Sequence, residues 1–499
     1  MPAVDTADRT LEDLVRPPNW QNPRPQGLYD MVVVGGGTAG LVSAVGARGL
    51  GARVALIERH RLGGDCLNSG CVPSKAVLRT ARAIGELRRA GDLGIRAIGA
   101  DPDFSDVMRR MRQRRAGLAA NDSAERLRGL GIDLFFGAAS FISDREIAVG
   151  SATLRFTRAV IATGSRPSAP PIEGLASTPY LTSDTVFDLT ERPERLLVIG
   201  GGPVGCELSQ ALARIGSRVT LFDQADRLLA SDDAEASHVL QRALTRDGVQ
   251  MELGATISRI SQRDGEAIVR FRRKHEGPDE EVGGDRLLVA TGRTPNIDGL
   301  DLGRAGIDAG PQGVVVDDRL RTGNRRVYAA GDVCSRFQFT HVADASARIV
   351  IQNALFFGRR KVSGLTIPWC TYTDPEVAHV GLSADGAERR RPAVQTISVP
   401  LSEVDRAVLD DETEGFVRVH HERGRLLGCT IVAAHAGELI GQVSGAIARG
   451  ATLADFASTI YPYPTQAEAL RKAGDAYRRG QLTPRVRRAF QHYFRITRW

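Results

Sequence analysis

Short, nearly unbroken apolar runs mark the buried strands of this chain. Tyr29–Gly35 (YDMVVVG) is followed by a helix opening at Gly40 and by a second run at Arg53–Glu58 (RVALIE). This strand–helix–strand order is the start of a βαβ unit with a parallel sheet. The same order returns at Arg195–Gly205 and runs on to Val219–Asp223, with further strands at 132–161, 287–292 and 327–332. The pattern turns helical from Ser74 to about Ala90, with Pro73 just before it, and again over an arginine-rich stretch at 105–129, read as a solvated face. After about residue 365 strands and helices alternate without glycine-rich turns, predicting a separate α+β domain. Residues 1–28, polar and proline-rich, read as an extended arm. The last fifteen (RVRRAFQHYFRITRW) read as a terminal helix packing on its own domain, with a membrane-surface or partner contact as the lesser alternative.

Composition narrows the class. With 42% hydrophobic and 25% charged residues over 499 positions, the chain is built like a soluble protein of several domains. No apolar run approaches the ~18–20 residues of a membrane helix, and the start lacks a signal pattern, so a cytoplasmic location is expected. The net charge of +7 is scattered and accompanied by no nucleic-acid motif, so nucleic acid is not an expected partner. Of the 66 basic residues only Lys75, Lys274, Lys361 and Lys472 are lysine. A lysine at position 75 therefore stands out, because a compact ammonium fits beside a ring where a planar guanidinium does not.

Two glycine fingerprints carry the first chemistry. Gly35-x-Gly37-x-x-Gly40 and Gly200-x-Gly202-x-x-Gly205 each follow a strand and open a helix. Each has an acid 23 residues after its first glycine, Glu58 and Asp223, where a dinucleotide's ribose is bound. The glycines permit a tight turn and close approach of pyrophosphate to the helix N-terminus. One such motif is weak; two in register predict two dinucleotides, a flavin and a nicotinamide. The first site is assigned to FAD because Cys66 lies eight residues beyond Glu58 and the thiols must reach the flavin ring. Asp223 opposes a 2′-phosphate, so NADH is favoured over NADPH, with Arg227 as the residue that argues for caution.

The second chemistry is the thiol pair in Gly63-Gly64-Asp65-Cys66-Leu67-Asn68-Ser69-Gly70-Cys71-Val72-Pro73-Ser74-Lys75. On an unbroken helix residues five apart lie roughly 8.6 Å from one another, beyond the ~7 Å a disulfide tolerates. The two can join only if the backbone bends between them, at least cost at Gly70. Thiols that can join beside an electron-accepting cofactor suggest a dithiol/disulfide redox centre. Cys206, Cys334, Cys370 and Cys429, isolated in sequence, read as inert buried thiols.

With these motifs in order, the chain resembles the pyridine nucleotide–disulfide oxidoreductases, most closely their mercuric-reductase-like branch. The likeness runs from about residue 29 to 480 and includes ATG at 162–164, ATGRTPN at 290–296, AGDV at 330–333, YTDPEVAHVGL at 372–382 and YPYPTQAE at 461–468. The resemblance implies an α/β fold of two Rossmann-like domains, for FAD and NAD(P)H, and a C-terminal α+β dimerisation domain. It implies an N-terminal extension at 1–28, an FAD domain in two parts at 29–165 and 291–362, an NAD(P)H domain at 166–290, a dimerisation domain at 365–480 and a basic tail at 481–499. Cofactor contacts are implied for Gly64, Thr163, Gly164, Gly292, Gly331 and Asp332, the last at the ribityl region. Cys71 would be the thiolate against the flavin and Cys66 the more exposed interchange thiol. Lys75 would lie near the flavin, paired with Glu207. A homodimer would complete each active site with residues of the partner subunit.

Two departures bear on the substrate. Lipoamide and glutathione reductases carry a proton-shuttling histidine followed by Pro-Thr, with a glutamate five residues on. Here the frame reads Tyr463-Pro464-Thr465-Gln466-Ala467-Glu468. A phenol with a pKa of about 10 is a poor base where an imidazole at about 6.5 is a good one. Capture of a soft metal ion at Cys66 and Cys71 needs no such base, since the metal displaces the proton. Mercuric reductases share the tyrosine, which favours that branch. Against it, no cysteine follows Cys429 or precedes Cys66, so mercury delivery through a C-terminal cysteine pair is not expected. No resident metal site is expected. The acceptor stays open among a soft metal ion, a quinone, and another electrophile or disulfide. A dihydrolipoamide-dehydrogenase-like or quinone reductase is the alternative, and a redox-sensing, partner-binding flavoprotein a third reading.

Overall fold

The computed structural model describes residues 6–96, 99, 101–274 and 278–498. The chain divides into two compact units, one comprising the chain as far as Gly200 with Ala211–Phe222 and Ala255–Leu365, the other Gly201–Gln210, Asp223–Gly254 and the chain from Thr366 onward.

The first unit opens with α1 (Thr6–Val15), then β1 (Leu28–Val34), α2 (Thr38–Gly49) and β2 (Val54–Glu58). The cysteine segment forms α3 (Gly64–Asn68) and α4 (Cys71–Arg88), followed by α5 (Phe104–Ala119), α6 (Ala124–Gly129) and the strands β3 (Asp133–Phe136), β4 (Ala139–Ser143), β5 (Glu146–Val149) and β6 (Ala152–Ile161). These strands build a sheet of order β3-β2-β1-β6-β5-β4, to which Val327–Ala329 adds alongside β6. Alternate residues of β1 enter different cores: Met31 and Val33 pack with α1, α2 and α5, whereas Val32 and Val34 pack with Ile57 and Ile161 on the other face. Burial on both faces is why the strand reads as one apolar run. Val34 aligns with Ile57 on one side and Ile161 on the other, so three parallel strands end level, where the first fingerprint begins.

Further along, β7 (Ser165–Pro167) pairs with Arg293–Pro295. The strand β8 (Arg195–Ile199) has β9 (Arg218–Asp223) on one side and Arg286–Val289 on the other, all parallel. Between β8 and β9 runs α7 (Pro203–Arg214), repeating the β1–α2–β2 plan. In the second unit, five strands from Pro368–Thr371 to Arg425–Ala433 form an antiparallel sheet, covered by the helix Ala436–Ala448. The α/β plan with a C-terminal α+β domain stands as expected.

Four local expectations need correction. The N-terminal arm is helical at 6–15, where Ala7, Leu11 and Val15 form a buried stripe at helical spacing; residues 1–5 lie outside the described residues. Trp20 then packs edge-on against Phe136, and Asn22 exchanges two hydrogen bonds with the Phe136 backbone. The helix predicted at 105–129 breaks at 120–123, and its arginines are not all solvated. Arg115, with its side chain 6% exposed, donates to Asp8 at 2.8 Å and to the Asn68 carbonyl at 2.8 Å, tying α1 to the cysteine segment. The helix expected from Ser74 begins at Cys71, which puts Pro73 inside its first turn, where a backbone N–H has no helical partner to lose. Finally, the terminal helix Pro484–Thr497 buries no residue. Arg115→Ala leaves Asp8 and a carbonyl without their cation. It is expected to lower stability by about 2–3 kcal/mol, read as a fall in the thermal midpoint.

Candidate redox site

Backbone contacts fasten the cysteine segment to the first fingerprint. Gly63 donates its N–H to Gly36 at 2.8 Å, and a Cβ on Gly64 would meet the Gly37 Cα at 2.7 Å. Gly35 holds φ at +107° with the Ala162 carbonyl 2.3 Å from where its Cβ would be, and a Cβ on Gly40 would sit 1.8 Å from the Gly35 oxygen. Side chains at these three positions would crowd a turn of the kind that phosphates approach. Glu58 accepts from Gly36 N–H at 2.6 Å with one oxygen and from His60 N–H at 2.5 Å with the other. Asp223 does the same, accepting from Gly201 and from Ala225 at 2.7 Å. Each acid thus braces its own turn. Gly200, at φ +112°, would carry a Cβ 2.5 Å from the Ala290 oxygen, as Gly35 does against Ala162. Gly202 accepts the Cys206 N–H, and Gly205 is buried in α7.

The bend between the thiols lies at Ser69-Gly70, between α3 and α4, as the spacing requires. Ser69 and Gly70 both donate to the Asp65 carbonyl, and a Cβ on Gly70 would stand 2.9 Å from that oxygen. Cys71 becomes the first residue of α4. Its Sγ lies 3.2 Å from the Thr340 hydroxyl, and Thr340 is the first residue of another helix, Thr340–Leu355. Two helix N-termini therefore meet at the sulfur, an arrangement that favours a thiolate. The Cys66 thiol is pushed up by its hydrogen bond with Cys71 and by burial. Taken in the single chain, Cys71 is exposed and Cys66 half-buried. Cys66 lies within α3 between its neighbours, whereas Cys71 stands at a helix start. Lys75, half-buried, is one turn along α4 from Cys71 and shares its side of the helix.

A polar chain joins this segment to the other motifs. Arg293 pairs with Asp65, donates to the Ser165 hydroxyl at 2.7 Å and reaches the Asp332 carboxylate at 3.9 Å; Ser165 in turn donates to Asp332 at 2.8 Å. Burial raises the Asp65 carboxyl to about 6 despite Arg293, and burial likewise raises Asp332. Thr163 and Asn296 exchange hydrogen bonds at 2.6 and 3.0 Å, and Gly164 accepts the Asn296 N–H, closing the two ATG turns on each other. Gly292 takes φ of +124° in the second of these turns, and Gly331 takes +80° just before Asp332.

In the second unit Glu207 is buried on α7 and accepts the Tyr372 N–H at 2.8 Å. Tyr463 is 70% exposed, and its hydroxyl donates to Asp405 at 3.1 Å. That carboxylate raises the phenol above its ordinary value, making it a still poorer base at neutral pH. Glu468 is buried and pairs with Arg471 at 2.6 Å. Of the remaining thiols expected to be buried, Cys206 and Cys429 are fully buried, whereas Cys334 and Cys370 are half-buried; burial pushes Cys334 up to about 12.

A family profile described as pyridine nucleotide-disulphide oxidoreductase matches residues 29–347, and the profile of that family's dimerisation domain matches residues 367–474. The chain belongs to the pyridine nucleotide-disulphide oxidoreductase family. It is 37% identical to a mercuric reductase of Streptomyces lividans over 90% of this chain and 96% of that one. It is also 37% identical to the mercuric reductase of Lysinibacillus sphaericus, over 89% and 82% of the two chains. A dihydrolipoyl dehydrogenase of Thermus scotoductus is 34% identical over 90% and 97%. Among solved structures, the HOCl-induced flavoprotein disulfide reductase RclA of Escherichia coli superposes with a TM-score of 0.80 at 27% identity, over 90% of this chain and 99% of that one. Membership brings FAD and a pyridine nucleotide as cofactors, an oxidoreductase activity and homodimerisation. No helix among the described residues is long and apolar enough to cross a membrane.

The sequence reading missed Thr340, Arg293, Ser165 and Arg115. Arg293 and Ser165 sit within or beside motifs already singled out. For Thr340 the available signal was a hydroxyl opening a helix soon after Asp332. Thr340→Val keeps shape and removes the hydroxyl. It is expected to raise the pH at which the dithiol becomes reactive to iodoacetamide by about one unit; an unchanged alkylation profile would show that the hydroxyl does not support the thiolate.

Proposed function

We propose that this protein is an FAD-dependent reductase that carries two electrons from NAD(P)H to the Cys66–Cys71 pair and on to a soft metal ion or another electrophile, in the manner of a mercuric reductase. The observation that carries the reading is the setting of the thiols, with Cys71 at two converging helix N-termini and Cys66 within the short helix before it. The glycines at 35, 37, 40 and 64, the braced Glu58 and the Asp332–Ser165–Arg293 chain fit an FAD. The second fingerprint with Asp223 fits the nicotinamide dinucleotide, NADH in preference to NADPH.

When bound, FAD relays two electrons between the reduced pyridine nucleotide and the thiol pair. Cys71 and Lys75 present their groups from one side of α4 to that cofactor. At Cys66 a soft cation displaces the thiol proton and binds the sulfur directly. Tyr463 stands where a general base would serve thiol–disulfide exchange, and its bond to Asp405 makes it unsuited to that task. With Glu468 it would be supplied to the site across the dimer, and Glu207 would pair with Lys75.

The test is steady-state oxidation of NADH and of NADPH by the FAD-loaded dimer, with mercuric ion, lipoamide and a quinone compared as acceptors. Turnover with mercuric ion at least about tenfold above lipoamide supports the reading. Faster turnover with lipoamide rejects it in favour of a dihydrolipoamide dehydrogenase.

A further inference from the structure

The terminal helix Pro484–Thr497 has every local device for being a helix, but buries no residue against the described part of the chain. Thr483 caps it by accepting the Val486 N–H, and Pro484 takes the first position. Yet every residue from 481 to 498 is exposed. A helix of 14 residues is marginal in water without tertiary support. Its apolar side chains are large: Phe490, Tyr493, Phe494 and Ile496 are each about half exposed, at 48%, 59%, 53% and 60%. Phe494 contacts both Phe490 and Tyr493, with ring centres 6.4 and 5.6 Å apart, so the three make one continuous patch.

At helical spacing, Val486, Ala489, Phe490, Tyr493, Phe494 and Ile496 share one face. Arg488, Gln491, His492 and Arg495 occupy the opposite one, and Arg485 and Arg487 flank the boundary. Residues 481–498 hold five arginines and no acid. Such a face does not complement a second copy of a chain whose own net charge is +7. The family's dimerisation profile, moreover, ends at residue 474, ten residues before the helix starts. At about 21 Å long, the helix is too short to span a bilayer. An apolar arc flanked by arginines matches a surface with acyl chains below and phosphates at its edge.

We propose that the terminal helix docks this protein on anionic membrane surfaces, lying in the interface with Phe490, Tyr493, Phe494 and Ile496 inserted and its arginines on lipid phosphates. This docking is independent of what the thiols reduce.

The full-length, FAD-loaded protein is to be sedimented with vesicles of equal parts phosphatidylglycerol and phosphatidylcholine, and with phosphatidylcholine alone. Binding is expected to the first and not the second, and to weaken with added salt. Phe490→Glu with Phe494→Glu is expected to abolish it, and Arg485→Ala with Arg487→Ala to weaken it by roughly 30-fold, both with NADH oxidation retained. Absence of binding to the anionic vesicles, equal binding to both, or binding unchanged in both double variants overturns the proposal. So does loss of the dimer, by light scattering, when the chain is ended at Leu482, since the helix would then serve subunit assembly.

Discussion

Cys71→Ser is expected to cut turnover by at least about a thousandfold, and to erase the long-wavelength absorbance that a thiolate in contact with flavin gives the reduced enzyme. The reasoning is local. The Cys71 sulfur is the one that two helix starts favour as an anion, with the Thr340 hydroxyl 3.2 Å away. Serine keeps the shape but ionises far above any working pH, so neither the band nor an electron path through the pair survives. Cys66→Ser should separate the two effects: the helix starts and the Thr340 hydroxyl stay in place, so the Cys71 thiolate and its band remain while turnover falls. A band that persists in Cys71→Ser would overturn the division of roles between the thiols.

Gly40→Ala is expected to release FAD and destabilise the first unit by about 3 kcal/mol or more, measured as flavin occupancy and thermal midpoint. The new Cβ would fall 1.8 Å from the Gly35 carbonyl oxygen, a backbone atom that can withdraw only by opening the turn. Gly49→Ala, at the end of the same helix, is the control. No atom lies within 4 Å of that Cβ, and the substitution should be neutral or stabilising by up to ~1 kcal/mol. If the two variants behave alike, the fingerprint's glycines are not needed for the approach of phosphate.

The parts of this fold that the sequence reveals are those where one chemistry demands particular residue types at fixed spacing. Both fingerprints, their acids, the ATG turns and the bend at Gly70 are of this kind, because only glycine meets the steric demand at Gly35, Gly40 or Gly64. The misses share a different cause. Residues 6–15 looked like part of a polar arm because a helix with a three-residue buried stripe is mostly polar by composition, and the partner that buries Leu11 is far along the chain. Arg115 looked solvated because its partners, Asp8 and the Asn68 carbonyl, are supplied by elements about 107 and 47 residues away. Thr340 is distant from Cys71 in sequence by 269 positions, and only folding brings the two helix starts together. At the terminal helix the local pattern was read correctly and the burial was not, since amphipathic spacing announces a face without saying what covers it.

The bracing of Asp223 has a consequence for coenzyme redesign. Its two oxygens each hold a backbone amide, at Gly201 and Ala225, so the side chain is structural before it touches any nucleotide. Exchanging it for a small neutral residue to welcome a 2′-phosphate would strip both amides of their acceptor and slacken the very turn the phosphates need. Asparagine keeps one oxygen and leaves the other amide facing a donor. Any change at position 223 therefore carries a cost in the turn itself, which changes at Gln224 or Asp226 would not incur through these two bonds.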